Sequence, residues 1–184
     1  SRIYFPIGQG FSVSPVQLLR AAGSIANGGT LLQPTLARQA VAQNGKILFE
    51  HTPIRAKNPF EPAVNREVLR YMRRVVLEGT GRAALISDVA IAGKTGTGQK
   101  SSAKGYYDKY VASFLGFFPA QNPRYGGLLI FDEAGEESGG SLAAPVFARF
   151  VQSILPVLNE SSQTFRVPDL APIAQSAAAF EAGK

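Results

Sequence analysis

The sequence predicts an α+β fold, an antiparallel sheet with helices packed on its faces. Three β-prone segments follow one another at residues 90–98, 110–119 and 125–133. The linker between the second and third is too short for a crossover, so these two strands should be antiparallel. Apolar residues at helical spacing precede the strands at residues 18–26 and follow them at residues 146–155. Strands flanked by amphipathic helices are typical of an α+β domain.

The composition fits a single folded core. Hydrophobic residues make up 45% of the 184 residues and charged residues 17%, which is enough apolar material for a core and too little charge for general disorder. The net charge is +6, and the most basic stretch lies on one predicted helix. That stretch is interrupted by glutamates and comprises Arg66, Glu67, Arg70, Arg73, Arg74 and Glu78. We interpret it as a solvated helix face and expect no nucleic-acid partner.

The chain offers few nitrogen or sulfur ligands for a metal, since histidine occurs only once. The chain has no cysteine, which excludes cysteine metal sites and thiolate nucleophiles. His51 has no partner at metal-ligand spacing, and we interpret it as a surface residue near a hairpin end. We interpret the acidic residues Asp132, Glu133, Glu136 and Glu137 as a solvated turn. The sequence therefore predicts no metal site and no cofactor.

The first predicted element is a helix that begins after Ser14. Ser14 is a favourable N-cap, Pro15 suits the first helical position, and Gln17 completes a capping box. Apolar residues recur at helical spacing as far as residue 26, and the glycines at 28 and 29 end the helix there.

The next region predicts a surface hairpin. Residues 32–49 contain short β-prone stretches around Asn44-Gly45, a dipeptide that suits a tight turn. Residues 52–63 are rich in proline and polar side chains and predict a connecting loop.

A second helix is predicted from an N-cap at Asn65 to Leu77, with Gly79 beyond its end. Residues 80–84 then predict a loop with one helical turn. Residues 111–118 are apolar without clean alternation, which is typical of a strand buried on both faces and therefore central.

Residues 99–108 predict a loop between the first two strands of the sheet, at the border of a candidate groove. Tyr106 and Tyr107 in this loop either contact a ligand or pack within the loop. The last helix is predicted over residues 142–158, with Pro145 in its first turn. The tail, residues 159–184, is predicted to be either loosely ordered or docked by a few apolar side chains such as Phe165.

The tetrapeptide Lys94-Thr95-Gly96-Thr97 carries the most specific chemistry, and one interpretation is a phosphate-binding loop. Such a loop needs a Gly, four further residues and then Gly-Lys-Ser/Thr. Gly93 and the two residues after it match the end of that pattern, but Asp88 occupies the position of the first Gly. The residues between are apolar and β-prone. Nucleotide binding is therefore a weak hypothesis, which a phosphate-dependent gain in stability would revive.

The other interpretation is a strand that presents these four residues to a substrate of acyl transfer. The Lys94 ammonium attracts an anionic carboxylate, and the hydroxyls of Thr95 and Thr97 hydrogen-bond it. Gly96 leaves room for a substrate backbone alongside the strand, and the Thr97 N–H is the natural oxyanion donor. Lys-Thr-Gly alone, however, is also a common tripeptide at an exposed strand end.

Further segments in the same order and spacing make the tetrapeptide specific. From residue 3 to residue 158 the sequence resembles the C-terminal half of class B penicillin-binding proteins. The segments that carry the resemblance are Ile7-Gly8-Gln9-Gly10, Ser14-Pro15-Val16-Gln17-Leu18, Ala26-Asn27-Gly28-Gly29, Glu78-Gly79-Thr80-Gly81, Ala92-Gly93-Lys94-Thr95-Gly96-Thr97, Ala112-Ser113-Phe114-Leu115-Gly116-Phe117-Phe118-Pro119, Phe131-Asp132-Glu133 and Gly140-Ser141-Leu142-Ala143-Ala144-Pro145-Val146-Phe147.

The resemblance implies a D-Ala-D-Ala transpeptidase that acts on peptidoglycan stem peptides. A serine attacks the penultimate D-Ala carbonyl, forms an acyl-enzyme and passes the acyl group to an amine of a neighbouring strand; β-lactams acylate the same serine. The implied fold is a partial penicillin-binding, serine β-lactamase-like fold. Lys94 and Thr97 are implied as catalytic residues, and Lys94 to Thr97 as the substrate-binding strand.

The resemblance also implies partners and a location. Besides stem peptides and β-lactam antibiotics, the partners are the upstream part of the same domain and proteins of the divisome or the elongation complex. The catalytic domain is expected on the outer face of the cell membrane, anchored by an N-terminal segment outside this sequence. Residues 108–114 look more like the division branch than the elongation branch.

The family's nucleophile motifs are absent from this sequence. The family needs Ser-x-x-Lys at a helix start and a Ser-x-Asn loop. The one Ser-x-x-Lys, Ser101-Ser102-Ala103-Lys104, follows Lys94 in a polar stretch, and we interpret it as coincidence. Ser24-Ile25-Ala26-Asn27 has one residue too many for the other motif. Both motifs are therefore expected upstream.

We therefore expect residues 1–158 to be the C-terminal part of a transpeptidase domain and residues 159–184 to be its tail. This chain alone should not turn over. The alternative is a non-catalytic penicillin-recognising or scaffold module of the cell-wall synthesis machinery, which would be favoured if the upstream sequence lacked the serine motif.

Overall fold

The computed structural model describes residues 12–57, 60–102, 105–135 and 138–158. Its helices are α1 (Pro15–Ala26), α2 (Pro62–Glu78) and α3 (Ala144–Ile154), with a short 3₁₀ turn at Arg82–Ala84 and a π-helical turn at Gly139–Ala143. Its strands are β1 (Thr30–Leu32), β2 (Gln39–Val41), β3 (Ile47–Glu50), β4 (Arg55–Lys57), β5 (Ala92–Ser102), β6 (Gly105–Phe118) and β7 (Tyr125–Phe131).

The main sheet has the order β5-β6-β7, with both pairs antiparallel. In its register Thr95 lies opposite Phe114, and Phe114 lies opposite Leu129. The prediction that residues 111–118 form a central strand is confirmed, because β6 has a neighbour on each side and Phe114 and Phe118 are fully buried. The predicted antiparallel pairing of β6 and β7 is confirmed as well.

Helices cover both faces of this sheet. On one face, Phe114 packs against Phe147 of α3, with 5.0 Å between the ring centroids, and Val151 joins the same core. On the other face, Phe117 packs with Ala22 of α1 and Met72 of α2. Successive side chains of a strand alternate between the faces, so one apolar run builds both cores. The predicted α+β architecture is thus confirmed.

Helix α1 is capped as its sequence predicts. The Ser14 N–H donates to the Gln17 side chain at 2.8 Å, and the Gln17 N–H donates to the Ser14 hydroxyl at 3.2 Å. The helix ends at Ala26, followed by Gly28 with a φ of +77°, a left-handed conformation that glycine adopts without strain.

The region between α1 and α2 holds two strand pairs, of which one was predicted. The hairpin around Asn44-Gly45 is confirmed, since β2 pairs with β3 and Gly45 has a φ of +80°. The connecting loop predicted at 52–63 is wrong in part, because β4 lies within it and pairs with β1. A three-residue strand is too short for an alternating pattern, and its partner becomes adjacent only once the intervening hairpin folds.

The N-cap predicted for α2 at Asn65 is wrong. The helix begins at Pro62 with Glu61 as its N-cap, and Asn65 is a buried helical residue whose Nδ2 donates to the Glu61 carbonyl at 3.2 Å. Pro62 at the first helical position loses no intrahelical hydrogen bond and presets the helical φ, which is why the helix begins earlier than Asn65.

The ion pairs on the basic face of α2 are exposed to solvent. Arg70 pairs with Glu67 and Arg74 with Glu78, both pairs exposed, as the sequence predicts. Arg73 differs, because it is only partly exposed and its guanidinium donates to the Ile91 carbonyl at 2.8 Å. Burial lowers the pKa of this guanidinium. Arg73 therefore joins α2 to the chain that leads into β5.

The loop predicted at residues 99–108 is wrong. Strand β5 continues to Ser102 and β6 begins at Gly105, so the two strands extend as one long hairpin with a register shift between Gln99 and Ser101. Its polar residues resembled a loop because this hairpin extends past the core. The side chains of Tyr106 and Tyr107 lie outside the described residues.

The predicted acidic turn follows β7 and is held by lysines of the long hairpin. Lys100 Nζ lies 2.8 Å from a carboxylate oxygen of Asp132, and Lys109 Nζ lies 2.7 Å from one of Glu133. Glu136 and Glu137 lie outside the described residues. Among the residues that are described, no group of three metal-ligating side chains exists.

The C-terminal helix is confirmed with a later start and an earlier end than predicted. The sequence predicted a helix over residues 142–158; the chain instead enters through the π-helical turn, α3 runs from Ala144 to Ile154, and Pro145 lies in its first turn as predicted. The predicted loose tail, residues 159–184, lies outside the described residues. No helix in the described ranges has the length and apolar character needed to cross a bilayer.

His51 directly follows β3. Its backbone N–H donates to the Arg38 carbonyl at 2.8 Å, and the residue is partly exposed. This position at the end of the β2–β3 hairpin agrees with its predicted place.

Candidate functional site

The four residues singled out by the sequence lie on strand β5, at an edge of the main sheet. Within the part of the chain that the structure describes, β5 pairs only with β6. The outward edge of such a strand offers backbone N–H and C=O groups to another extended chain. Lys94 and Thr97 are exposed there, and Thr95 and Gly96 are partly exposed.

The side chains of this strand leave it on opposite faces. Lys94 lies opposite Leu115, on the face that α1 and α2 cover, whereas Thr95 lies opposite Phe114, on the face of α3. Thr97 shares the face of Thr95 because it lies two residues further along. A ligand that meets both the ammonium and the hydroxyls must therefore lie along the edge of β5.

Lys94 folds back along its own strand. Its Nζ donates to the Thr95 carbonyl at 2.7 Å, and the side chain is exposed to solvent. This position places a positive charge beside the strand edge, where it attracts an anionic ligand over several ångströms.

Thr95 is joined to the segment that follows α2. Its hydroxyl oxygen lies 2.7 Å from the hydroxyl oxygen of Thr80, and either group can be the donor. Thr80 directly follows Gly79, the C-cap residue of α2.

Thr97 is joined to the π-helical turn that precedes α3. The Gly139 N–H donates to the Thr97 hydroxyl at 3.1 Å. A Cβ on Gly139 would lie 2.3 Å from the Ser113 carbonyl oxygen and 2.5 Å from the Gly96 carbonyl oxygen. Only glycine lets the turn sit this closely on β5 and β6.

Packing against the neighbouring strand favours glycine at position 96. A Cβ at this position would lie 2.5 Å from the Ser113 hydroxyl on the neighbouring strand. The predicted role of Gly96, to leave room for a ligand backbone, remains a prediction.

The phosphate-loop interpretation of this tetrapeptide is wrong. Lys94 and Thr95 lie inside β5 and not in a loop that opens a helix. A phosphate loop needs backbone N–H groups arranged around an anion at a helix start. That geometry is absent from β5.

The Ser101-x-x-Lys104 sequence does not open a helix. Ser101 belongs to strand β5, whereas the serine-lysine pair of an acyl transferase needs one helical turn between the two residues. The side chain of Ser101 and all of Lys104 lie outside the described residues. Ser24 lies within α1, where its hydroxyl donates to the Ala21 carbonyl at 2.7 Å.

The described part of the chain also contains a cavity of about 380 Å³ away from these residues. It lies between α1, β1 and the start of β7, and residues such as Leu19, Arg20 and Phe117 line it. Lys94 to Thr97 do not line it. The candidate site is therefore an open strand edge and not this cavity.

Sequence reasoning missed three contributors to the site: Thr80, Gly139 and Gly140. Thr80 and Gly140 lie in segments that carry the family resemblance and Gly139 lies directly beside one, but no sequence pattern gives any of them a role in the site. The hydrogen bonds of Thr80 and Gly139 to the strand span 15 and 42 residues of the chain. Such pairings have no local signal, although the glycine pair before an apolar helix marks a close approach.

The fold and the site define an α+β domain that presents polar side chains along the open edge of a sheet. A model of the penicillin binding protein transpeptidase domain matches residues 2–152. The chain therefore belongs to this family.

Two curated relatives agree with this assignment. The chain is 33% identical over 156 residues to stage V sporulation protein D of Bacillus subtilis and 32% identical over 162 residues to peptidoglycan D,D-transpeptidase FtsI of Escherichia coli. These alignments cover 83% and 86% of the chain but 24% and 26% of the relatives. The chain thus spans about a quarter of their length.

A solved structure supports the fold. The structure of penicillin binding protein 3 from Mycobacterium tuberculosis complexed with ampicillin matches with a TM-score of 0.74 at 29% identity. The match covers 90% of this chain and 39% of that one. The predicted partial penicillin-binding fold is confirmed.

Proposed function

We propose that this chain is the C-terminal part of a peptidoglycan D,D-transpeptidase, which cross-links stem peptides through a serine acyl-enzyme and is acylated by β-lactams. The observation that carries the proposal is the open edge of β5, where Lys94 and two threonine hydroxyls are presented along one strand. Family membership and the names of the relatives support the same reaction.

Each residue of the strand has a role in this proposal. The Lys94 ammonium lies beside the reacting serine and the carboxylate of the substrate, and the hydroxyls of Thr95 and Thr97 hold that carboxylate. The Thr97 N–H stabilises the oxyanion that forms when the serine attacks the carbonyl. The substrate lies along β5 as an additional strand, close to Gly96.

The upstream part of the domain completes the site. It supplies two motifs. The Ser-x-x-Lys motif at a helix start contains the reacting serine and its lysine, and the Ser-x-Asn motif lies in a separate loop. The serine Oγ gives its proton to that lysine and bonds to the carbonyl carbon of the penultimate D-Ala. The bond from this carbon to the nitrogen of the terminal D-Ala then breaks, and that nitrogen takes the proton and leaves as the amine of free D-Ala. An amine of a second stem peptide then attacks the acyl carbon and forms the new amide bond, while the ester bond breaks and the serine Oγ takes up the amine proton.

The same proposal includes a location and partners. Peptidoglycan is assembled outside the cytoplasmic membrane, so the domain belongs on the outer face, anchored by a segment outside this sequence. Proteins of the division or elongation machinery are its proposed partners.

The alternative is a penicillin-recognising or scaffold module without turnover. It has the same strand edge but lacks the serine motif upstream. The two candidates differ in covalent labelling.

Labelling by a fluorescent penicillin tests the proposal. The chain alone and the longer protein, meaning this chain with the upstream part of its domain restored, are each labelled with and without Lys94→Ala. Lys46→Ala, an exposed lysine in the β2–β3 turn, is the matched control. We expect only the longer protein to be labelled. In that protein, Lys94→Ala should slow the labelling, whereas Lys46→Ala should leave its rate unchanged.

Other outcomes separate the alternatives. Labelling of the chain alone would reveal a nucleophile within it, with Ser101 the first candidate. If neither protein is labelled, the non-catalytic module is correct and the proposed reaction is wrong.

A further inference from the structure

We propose that Thr80 is a positioning residue that orients the Thr95 hydroxyl towards the carboxylate of the substrate. The inference rests on the proposed function and deepens it by adding a residue outside strand β5. It starts from one contact, the 2.7 Å between the two hydroxyl oxygens.

The contact between the two hydroxyls determines which of them has a proton to donate to a ligand. A hydroxyl carries one proton and two acceptor sites. When one threonine donates to the other, the acceptor keeps its own proton for a third group. Both residues stand at an accessible surface, Thr80 exposed and Thr95 partly exposed. In the arrangement that the proposal uses, Thr80 donates to Thr95, and Thr95 keeps its own proton for an anion at the strand edge.

The backbone of Thr80 is held from two sides. On one side, Gly140 of the π-helical turn approaches so closely that a Cβ there would lie 2.5 Å from the Thr80 carbonyl oxygen. On the other side, the Gly81 N–H donates to the Val75 carbonyl of α2 at 3.0 Å. Gly81 is buried, and a Cβ on it would lie 3.2 Å from the ring of Phe114. Thr80 is thus fixed between α2, the turn and the core.

The same turn holds both threonines of the strand. Gly139 donates to Thr97, while its neighbour Gly140 packs on Thr80, whose hydroxyl meets Thr95. Thr95 and Thr97 share one face of β5. Their hydroxyls are therefore oriented by two separate segments that meet at Gly139 and Gly140, and a rigid pair of donors suits a planar carboxylate.

The test uses the longer protein and separates binding from chemistry. The dissociation constant of the non-covalent benzylpenicillin complex and the acylation rate constant are measured for Thr80→Val, Thr80→Ser, Thr95→Val and the double variant Thr80→Val/Thr95→Val. Thr52→Val, an exposed threonine between β3 and β4, is the matched control. The methyl ester of benzylpenicillin, which lacks the carboxylate charge, is the second ligand.

We expect Thr80→Val to weaken penicillin binding roughly three- to tenfold, the range for one oriented hydrogen bond, and the control to have no effect. Thr80→Ser should retain wild-type binding. The double variant should lose no more than Thr95→Val alone, because Thr80 acts through Thr95. The preference of Thr80→Val for the acid over the ester should fall, a ratio that partial unfolding does not change.

The outcomes distinguish this inference from the proposed function. Failure of the wild-type protein to form an acyl-enzyme overturns the proposed function. If wild type is acylated but Thr80→Val binds penicillin as well as wild type, or the double variant loses the full product of both effects, only the role of Thr80 is overturned. An unchanged acid-to-ester preference in Thr80→Val overturns it equally.

Discussion

The backbone N–H of Gly139 donates a hydrogen bond to the hydroxyl of Thr97, and the two residues are 42 positions apart in the chain. Gly139 lies against the backbone of β5 and β6, at a distance that no side chain tolerates. The turn before α3 is therefore packed directly on the strand that the proposed reaction uses. A substitution in the turn should therefore alter the position of the Thr97 hydroxyl, although no residue of β5 is substituted.

Gly139→Ala tests this coupling. Its Cβ would meet the carbonyl oxygens of Ser113 and Gly96, which are backbone atoms that cannot rotate away. The turn must shift, at a cost of about 1–3 kcal/mol for an overpacked site, and the bond to Thr97 is lost. We expect a lower melting temperature and slower penicillin labelling of the longer protein.

Gly98→Ala is the matched control on stability. Gly98 lies on the same strand, and a Cβ there meets nothing within 4 Å. Its melting temperature should stay close to that of wild type. Equal stability of the two alanine variants would contradict the packing argument for Gly139.

Local patterns predicted those elements whose signals lie close together in the sequence. The capping box of α1 is complete within Ser14 to Gln17, and the two-sided burial of β6 is visible in its own apolar run. The tetrapeptide from Lys94 to Thr97 was likewise found as one continuous segment. In each case the signal itself lies within a short continuous segment, even where the contacts of its residues are distant in the chain.

The missed features depend on tertiary contacts. Asn65 has the chemistry of an N-cap, but Pro62 begins the helix one turn earlier and burial against the core places Asn65 inside it. The long β5–β6 hairpin has the composition of a loop, because its ion pairs to the turn after β7 replace apolar burial. The contact between Thr80 and Thr95 forms only when α2 has packed beside β5.

Phe147→Ala should strongly destabilise the domain. The ring is fully buried and packs on Phe114 at 5.0 Å between centroids and on Phe118 at 6.3 Å. Removing such a ring typically costs about 3–5 kcal/mol in the free energy of unfolding. Urea denaturation of the longer protein measures the loss. Phe150→Ala on the same helix is the control, since Phe150 is 46% exposed, and its loss should be well under half as large.

Arg73→Ala should destabilise the domain more than Arg74→Ala. The guanidinium of Arg73 donates to the Ile91 carbonyl at 2.8 Å, in a partly buried position. Its removal leaves that carbonyl without the donor, a loss of about 1–3 kcal/mol. Arg74 pairs with Glu78 on the surface, where an ion pair contributes about 0–1 kcal/mol. Equal losses in urea denaturation would show that Arg73 does not anchor the chain that enters β5.

The ion pairs between the β5–β6 hairpin and the turn after β7 should make stability depend on pH. The hydrogen bond from Lys100 lowers the pKa of Asp132, and the hydrogen bond from Lys109, together with Lys100, lowers the pKa of Glu133. Their ordinary values are 3.8 and 4.5. The folded state therefore binds these protons less tightly than the unfolded state does.

The sign follows from these lowered values. The stabilisation is fully present above the ordinary values, at pH 7 for example, and is lost as pH falls through the lowered values of the folded state. The variant Lys100→Gln/Lys109→Gln lacks the pairs at every pH. We expect its melting temperature to lie below that of wild type at pH 7 and the gap to narrow as pH falls below about 4, where the carboxylates become neutral.

High salt and a control variant separate the contribution of these ion pairs from the effect of a changed net charge. The carboxylates of Asp132 and Glu133 are both well exposed. High salt at pH 7 should therefore narrow the difference in melting temperature between wild type and the double variant. Lys46→Gln, which removes an exposed lysine from the β2–β3 turn, changes the net charge without removing one of these pairs. If the gap between wild type and the double variant stays constant from pH 7 to pH 3, the pairs do not hold the hairpin to the turn. In that case the backbone pairing of β5 with β6 alone maintains the extended hairpin.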